Sequence, residues 1–328
     1  MADSGNMMQV LKKFPEMINE ATELVDDTTI NKEFIENIII TGMGGSGYTG
    51  DLLKVYLQDL PIQLHVVKDY VLPPYATRKS LVFVISYSGN TEETISAYRT
   101  AVRRGCKVVS VSSGGKLFDL AKLNKNYHIE VPKNIQPRLS TPYLFISILK
   151  VLQQAGIVDE QDRIIKDCVN YLETNQNTIE QKSKELAKKL KGYVPIIYSS
   201  QKMFCIAEKW KTDINENAKV HAFYNTFSEF NHNEICAYEH SQALFHVIII
   251  SDIQDHERIK KRIQVFKKVV KKYKVDVTEI ALGQDSMLTR LFSAILMGLY
   301  LGYFLALEYK IDPTPVEIIE NLKKELGK

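Results

Sequence analysis

The stretch from Leu81 to Thr94, LVFVISYSGNTEET, most constrains the fold of this chain. Its first five residues form an unbroken apolar run, too short for a helix and rich in β-formers, which is typical of a strand buried on both faces of a parallel sheet. The hydroxyls of Ser86, Ser88 and Thr91 follow, and a helical pattern then runs to about Arg104. The stretch therefore predicts a central strand, a hydroxyl-rich turn and a helix start, where unpaired backbone N–H groups favour an anion.

A second polar loop has the same placement. The apolar strand predicted at Asn37–Thr41 runs directly into GMGGSG at 42–47. Carboxyl ends of neighbouring parallel strands are where ligands bind in such sheets, and neutral hydroxyls suit a phosphate monoester. Two alternatives stay open: Thr91 as a simple N-cap, and a dinucleotide fingerprint with Asp69 as its acidic residue. The dinucleotide hypothesis leaves the Ser86–Thr91 loop unexplained.

The alternation of strands and helices predicts an α/β fold with two doubly wound parallel-sheet domains in tandem. The stretch LFHVIIISDIQDHERI repeats the strand, turn and helix order of LVFVISYSGNTEETI without its serines and glycines, so only the first copy is expected to bind phosphate. We expect a first domain at 1–155, a helical connector at 156–190 and a second domain at 191–328. Strands are predicted near 37–41, 62–67, 81–85, 107–111, 127–131, 194–198, 220–224, 244–250 and 275–281, with a leading helix at 6–26.

Composition excludes some function classes. The chain has 328 residues, 45% of them hydrophobic and 25% charged, with a net charge of +3, so it lacks the basic field of a nucleic-acid or membrane-surface binder. Its four scattered cysteines predict reduced thiols in a cytoplasmic protein, and no secretory signal is visible. The uncharged run at 291–307 reaches about 25 Å as a helix, short of the ~30 Å hydrocarbon core, which favours a buried helix.

Four motifs carry a resemblance to a known family. GMGGSGYTGDLL followed by SYSGNTEET resembles the sugar isomerase (SIS) domain, and ENAK at 216–219 with NHNEI at 231–235 narrows the resemblance to the bifunctional phosphoglucose/phosphomannose isomerase family of archaeal type. The resemblance spans nearly the whole chain, as two SIS-type domains. His221 and Ser228 stand where the family pattern leads us to expect prolines.

The resemblance also implies site residues. Substrate phosphate contacts are implied for Gly44, Gly45, Ser46, Ser86, Ser88 and Thr91. Glu216 is implied as the base that moves a proton between neighbouring carbons, His232 as the ring opener, and Arg138 as the cation facing the reacting carbons. A carboxylate, a histidine and a permanently charged guanidinium suit these three tasks. Thr314 and Lys323 lie in a stretch that resembles the last active-site segment of the family. In that segment a threonine is associated with accepting the mannose epimer, and a lysine lies near the ring oxygen.

Each of these residues has a simpler interpretation. Ordinary helix geometry turns Glu216 away from the apolar face, as for a solvated glutamate. Arg138 lies in a proline-stiffened loop that could be exposed. His232 belongs to a region with five of the seven histidines, which is compatible with a metal site, but no pair has HExxH spacing. Thr314 fits a helix cap and Lys323 a solvated lysine.

The sequence therefore predicts a cytoplasmic isomerase without metal or cofactor, converting glucose 6-phosphate, and mannose 6-phosphate, to fructose 6-phosphate through a cis-enediolate. A non-catalytic sugar-phosphate sensor is one alternative, although the roughly 35 residues before the first strand show no DNA-binding module. A related isomerase of amino-sugar or ketose phosphates is another. We expect no nucleic-acid or membrane partner, and the family implies a homodimer.

Overall fold

The computed structural model describes residues 3–27, 30–283 and 285–326. The chain divides into two compact units: Lys13–Glu173, here the first unit, and Met1–Lys12 with Thr174–Lys328, here the second unit. The division falls inside one continuous helix, α7 (Asp162–Leu190), and helix α1 (Met7–Lys12) belongs to the second unit. The predicted boundaries were different, at 155 and 191, because a charged helix was interpreted as a separate connector.

The first unit is built on a five-stranded parallel sheet with strand order β2-β1-β3-β4-β5. All six residues of the central strand β3 are buried, as its apolar run predicts. The strands are β1 (Asn37–Thr41), β2 (Gln63–Val67), β3 (Ser80–Ile85), β4 (Lys107–Ser112) and β5 (Tyr127–Glu130). The helices wholly within this unit are α2 (Phe14–Thr22), α3 (Gly44–Tyr56), α4 (Glu92–Arg103), α5 (Gly115–Leu123) and α6 (Thr141–Gln154).

The leading helix predicted at 6–26 is interrupted. The structure has α1 and then α2, which begins at Phe14 with Pro15 in its first positions. Proline has no N–H to donate to the preceding turn and its ring clashes with that turn, whereas it is tolerated in the first turn of a new helix. The break therefore follows from Pro15.

The second unit repeats the plan with a four-stranded parallel sheet of order β7-β6-β8-β9. Its central pair β6 and β8 corresponds to β1 and β3, which confirms the prediction of two doubly wound parallel sheets. The strands are β6 (Val194–Ser199), β7 (Phe223–Thr226), β8 (Phe245–Asp252) and β9 (Asp276–Leu282). The remaining helices are α8 (Phe204–Asp213), α9 (Phe227–Phe230), α10 (Glu257–Val270), α11 (Met287–Glu308) and α12 (Glu317–Leu326).

Helix α11 contains the apolar run that the sequence predicts to be buried. Among the described residues it is the one helix long and apolar enough to cross a membrane, and 83% of its most apolar window is buried. Gly298 lets it approach α8 closely, because a side chain there would collide with the Trp210 ring. The Trp210 indole N–H donates to the Ala294 carbonyl at 2.8 Å. The run is thus a core helix of the fold.

Candidate active site

The two polar loops of the first unit meet at one edge of its sheet, because β1 and β3 are adjacent and parallel. A Cβ at Gly42 would lie 2.7 Å from the Ile85 carbonyl oxygen, so glycine permits this close approach. Helix α3 begins at Gly44, and Gly44 has φ +53°, which favours glycine. The first N–H groups of α3 therefore lie within the glycine loop itself.

Hydrogen bonds join the two loops. The Ser46 hydroxyl oxygen accepts the Tyr87 backbone N–H at 3.1 Å, and both residues are buried. Ser86 donates through its hydroxyl to Thr91 Oγ1 at 3.0 Å. Thr91 precedes α4 but makes no side-chain capping hydrogen bond to it, so capping does not account for this threonine. Ser88 is exposed, and its oxygen accepts the Asn90 N–H at 3.3 Å.

Arg138 is buried rather than exposed, with 4% of its surface accessible. It lies in a short 3₁₀ segment, Pro137–Leu139, and donates to Gln136 Oε1 at 3.3 Å. This segment packs against the glycine loop, since a Cβ at Gly45 would lie 2.8 Å from the Pro137 carbonyl oxygen. A guanidinium is rarely buried unless it forms hydrogen bonds or ion pairs. The structure thus brings Arg138 to the loops with the hydroxyls.

Tyr87 holds the loop that leads to Arg138. Its hydroxyl donates to the Pro132 carbonyl at 2.8 Å and accepts the Ile135 N–H at 3.0 Å. Burial raises the pKa of Tyr87, against the opposing effect of the Ile135 hydrogen bond, so the phenol stays neutral and can serve as donor and acceptor at once. Tyr87 therefore connects the serine loop to the arginine segment.

Glu216 lies on a wider helical turn than the sequence predicts. Helix α8 ends at Asp213 and continues as a π-helix, Ile214–Ala218. Insertion of a π-turn changes which side chains face the core, so the ordinary 100° periodicity does not apply there. Glu216 is half-buried, between the buried Ile214 and Asn217.

The segment with Thr314 lies next to this turn. The Lys219 ammonium donates to the Glu216 carbonyl at 2.6 Å and to the Pro313 carbonyl at 3.3 Å. Thr314 is buried, and its backbone N–H donates to Asp312 Oδ1 at 3.0 Å. Burial acts to raise the pKa of Asp312, but hydrogen bonds from Ser4 and Thr314 and the charge of Lys219 outweigh it and lower the pKa.

His232 is exposed on a loop whose neighbouring residues are anchored. On one side, Arg262 donates to Asn231 Oδ1 at 3.1 Å. On the other, Glu234 Oε1 accepts the Tyr198 hydroxyl at 2.6 Å. Burial raises the pKa of Tyr198, which keeps it a hydrogen-bond donor. In the described part of the chain the His232 imidazole has no hydrogen-bond partner, so it is available to a ligand or to another chain.

The corresponding edge of the second sheet is occupied by the protein's own charges. Asp252 ends β8 and forms a buried ion pair with Arg290, with Nε to Oδ2 at 2.7 Å. Asp255 accepts the Asp252 N–H at 2.8 Å, and burial raises the pKa of Asp255. The buried Asp252–Arg290 pair is already satisfied within the protein, which supports the expectation that only the first copy binds a phosphate.

Residues 35–141 match the SIS domain family, and residues 179–326 match the family described as the bacterial phospho-glucose isomerase C-terminal SIS domain. The chain is 38% identical to the bifunctional phosphoglucose/phosphomannose isomerase of Caldicellulosiruptor bescii, over 98% of this chain and 99% of that one. The chain belongs to the bifunctional phosphoglucose/phosphomannose isomerase family. The resemblance carried by the four sequence motifs is thereby confirmed.

Other relatives of this isomerase-family chain widen the comparison. It is 34% identical to a D-glucosamine-6-phosphate 4-epimerase of Sulfolobus acidocaldarius, over 66% of this chain and 69% of that one. The solved structure of the tagatose-6-phosphate ketose/aldose isomerase of Escherichia coli superposes with a TM-score of 0.71 at 16% identity, covering 95% of this chain and 96% of that one. The latter likeness shows the shared SIS-type fold.

The resemblance also implies a role for Lys323. It is exposed on α12, and among the described residues its side chain forms no hydrogen bond or ion pair. Ser228, one of the two departures from the family pattern, is the second residue of α9, a position where proline is also tolerated. Within residues 3–27, 30–283 and 285–326, no group of three or more metal-ligand side chains is clustered.

Two residues with structural contacts described above, Tyr87 and Lys219, are not singled out by the sequence motifs. Tyr87 is the second residue of SYSGN, and Lys219 is the last residue of ENAK, so both lay inside the quoted stretches. Their contacts are with backbone groups, which have no signature in a pattern of side-chain types. A buried aromatic within a polar loop was the available signal for Tyr87.

Proposed function

We propose that this chain interconverts glucose 6-phosphate, and mannose 6-phosphate, with fructose 6-phosphate by moving a proton between C2 and C1 through a cis-enediolate. The proposal rests on the sequence identity between this chain and a bifunctional isomerase, which extends over nearly the full length of both chains. The neutral hydroxyl loops and the buried Arg138 fit this chemistry.

The phosphate is bound by the first unit. Ser46, Ser86, Ser88 and Thr91 supply hydroxyls around the starts of α3 and α4, where free backbone N–H groups add donors and the helix dipoles favour an anion. Gly44 and Gly45 leave room for the phosphate oxygens beside the backbone. The hydrogen bond from Tyr87 to Ser46 keeps the two loops in fixed register, so the donors are oriented before the substrate arrives.

Proton transfer is assigned to Glu216. Its carboxylate removes the proton on C2 of the aldose; the C–H electron pair forms the C1=C2 double bond, and the carbonyl electrons move to O1. The proton of the C2 hydroxyl then passes to O1, the C2 carbonyl forms, and Glu216 returns its proton to C1. The guanidinium of Arg138 faces the developing negative charge on the enediolate oxygens. His232 opens the cyclic sugar, Lys323 assists near the ring oxygen, and Thr314 accommodates the mannose epimer. No step needs an oxidant, a metal or a cofactor.

The active form is proposed to be a cytoplasmic homodimer in which His232 is supplied by the neighbouring subunit. The free, exposed imidazole fits this arrangement. Helix α12 also presents Ile318, Leu322 and Leu326 four residues apart on one face, all at least 60% exposed, as a surface for a second copy of the chain.

Mixing two impaired variants tests the shared site. A dimer of one Glu216→Gln chain and one His232→Ala chain contains one site with both native residues if the histidine crosses between subunits. Activity should then rise on mixing, after partial denaturation and refolding, towards a quarter of the wild-type value. A mixture no more active than its components would place His232 in the same subunit as its Glu216.

A coupled spectrophotometric assay with each aldose phosphate tests the activity itself. We expect turnover of glucose 6-phosphate and mannose 6-phosphate, and loss of both in Glu216→Gln. The control is Glu208→Gln, a glutamate of similar burial on α8. The similarity to a D-glucosamine-6-phosphate 4-epimerase makes that amino-sugar phosphate the competing substrate to include. Turnover of the amino sugar alone would overturn the proposed function, and tight binding of all three without turnover would favour a sensor.

A further inference from the structure

Lys219 ends the π-turn that carries Glu216, and its backbone is in the left-handed region, with φ 58° and ψ 30°. Residues with a Cβ are disfavoured there, and lysine lacks the short polar side chain that helps asparagine or aspartate adopt it. The contacts made by the Lys219 side chain offset this cost.

Three of its contacts are with backbone oxygens. The ammonium donates to the carbonyls of Glu216 at 2.6 Å, Asn217 at 3.3 Å and Pro313 at 3.3 Å. An ammonium has three N–H donors and a positive charge that suits the carboxyl end of a helix. Two of the oxygens belong to the π-turn and the third to the segment before α12. One side chain thus closes the turn and attaches the Pro313–Thr314 segment to it.

The other side of the π-turn is supported by α11. A Cβ at Gly302 would lie 2.9 Å from the Asp213 carbonyl oxygen and 3.0 Å from Asn217 Nδ2, so the helix backbone presses directly on the turn. Because α11 holds the turn on that side, the remaining freedom of the Glu216 backbone is at its carboxyl end. That end is the one that Lys219 holds.

We propose that Lys219 is a positioning residue that sets the place of the Glu216 carboxylate relative to Thr314 and so tunes the preference between the two aldose phosphates. The proposal rests on the proposed function, in which Glu216 is the base. The epimers present the C2 proton on opposite faces of the carbon, so their rates respond unequally to a shift of a single carboxylate. A misplacement of about 1 Å can cost roughly 100-fold in rate.

Kinetics of Lys219→Ala and Lys219→Arg test this role. In Lys219→Ala we expect kcat to fall about 10- to 100-fold, KM to change less than about threefold, and the ratio of the two aldose rates to shift at least about threefold. Lys219→Arg should recover most of both losses, since a guanidinium also donates to several carbonyls. The matched control is Lys274→Ala, an exposed lysine at a helix end with φ 58° and ψ 33°, which should keep wild-type rates.

Amide hydrogen exchange gives a readout that does not depend on turnover. Lys219→Ala should speed exchange both in residues 215–220 and in residues 314–316, while β9 stays protected. Wild-type exchange at 314–316, or an unchanged ratio of the aldose rates, would overturn the role of Lys219. Loss of rate in Lys274→Ala equal to that in Lys219→Ala would do the same. A wild-type protein inactive on both aldose phosphates would instead overturn the proposed function, and the exchange result would still decide whether Lys219 attaches the two segments.

Discussion

Replacing Ser88 by alanine should damage substrate binding while leaving the fold intact. Ser88 is exposed, and its hydroxyl oxygen accepts a weak hydrogen bond from the Asn90 backbone N–H at 3.3 Å. Loss of that bond should change the free energy of unfolding by less than about 0.5 kcal/mol. A hydrogen bond to the charged phosphate is worth about 1.5–3 kcal/mol. At about 1.36 kcal/mol per tenfold, kcat/KM should fall roughly 10- to 150-fold.

Ser46→Ala is the contrasting variant. Ser46 is buried, and its loss leaves the Tyr87 N–H without its acceptor, so the free energy of unfolding should fall by about 1–3 kcal/mol in addition to the kinetic loss. Ser96→Ala, a half-buried serine of α4, serves as the control. The coupled isomerase assay gives kcat/KM, and urea denaturation gives the unfolding free energy. Normal kinetics in Ser88→Ala would show that the phosphate lies elsewhere and that the loop hydroxyls are only turn residues.

Three further predictions follow from the same structure. In deuterated water, NMR should show solvent exchange at C2 of the sugar abolished in Glu216→Gln, by at least about 10²-fold, yet persisting in His232→Ala, and the reverse pattern would exchange the two roles. Prolonged EDTA treatment should leave activity intact, whereas loss that zinc restores would contradict the proposed mechanism. Burial lowers the pKa of His128 and of His246 below 6.5, so the unfolded chain binds protons first and the unfolding free energy should decline as pH falls below about 6.5. A His128→Gln/His246→Gln variant should lose that part of the slope, and an unchanged slope would refute its origin.

The strands could be predicted because each is a short apolar run bounded by polar turns. The run at Leu81–Ile85 becomes a fully buried strand, and the repeated strand, turn and helix order becomes a second sheet with the same central pair. The first and last residues of the helices were harder to predict. The sequence pattern indicates a loop at Gly44, although a helix can begin on glycines when its first N–H groups face an open edge of the sheet. The π-turn at Glu216 depends on packing against Gly302, which is 86 positions away and invisible to local periodicity.

The sequence predicts residue types for the candidate site, and it does not predict their surroundings. The hydroxyl loops follow from strand adjacency, because parallel strands end at the same edge. The burial of Arg138 could not be predicted, since it depends on Tyr87 holding residues 132 and 135 from a different strand end. Lys219 donates to carbonyl oxygens. Because every residue has a carbonyl, no pattern of side chains predicts such a contact.

The ion pair at the edge of the second sheet has a consequence for stoichiometry. Arg290 and Asp252 are each at most 2% exposed in their side chains, so they are already satisfied and a phosphate could enter only by separating them. Separating a buried charge pair typically costs about 3–5 kcal/mol. A calorimetric titration with a sugar phosphate should therefore saturate at one molecule per chain and fit a single class of sites, although the chain contains two copies of the same architecture.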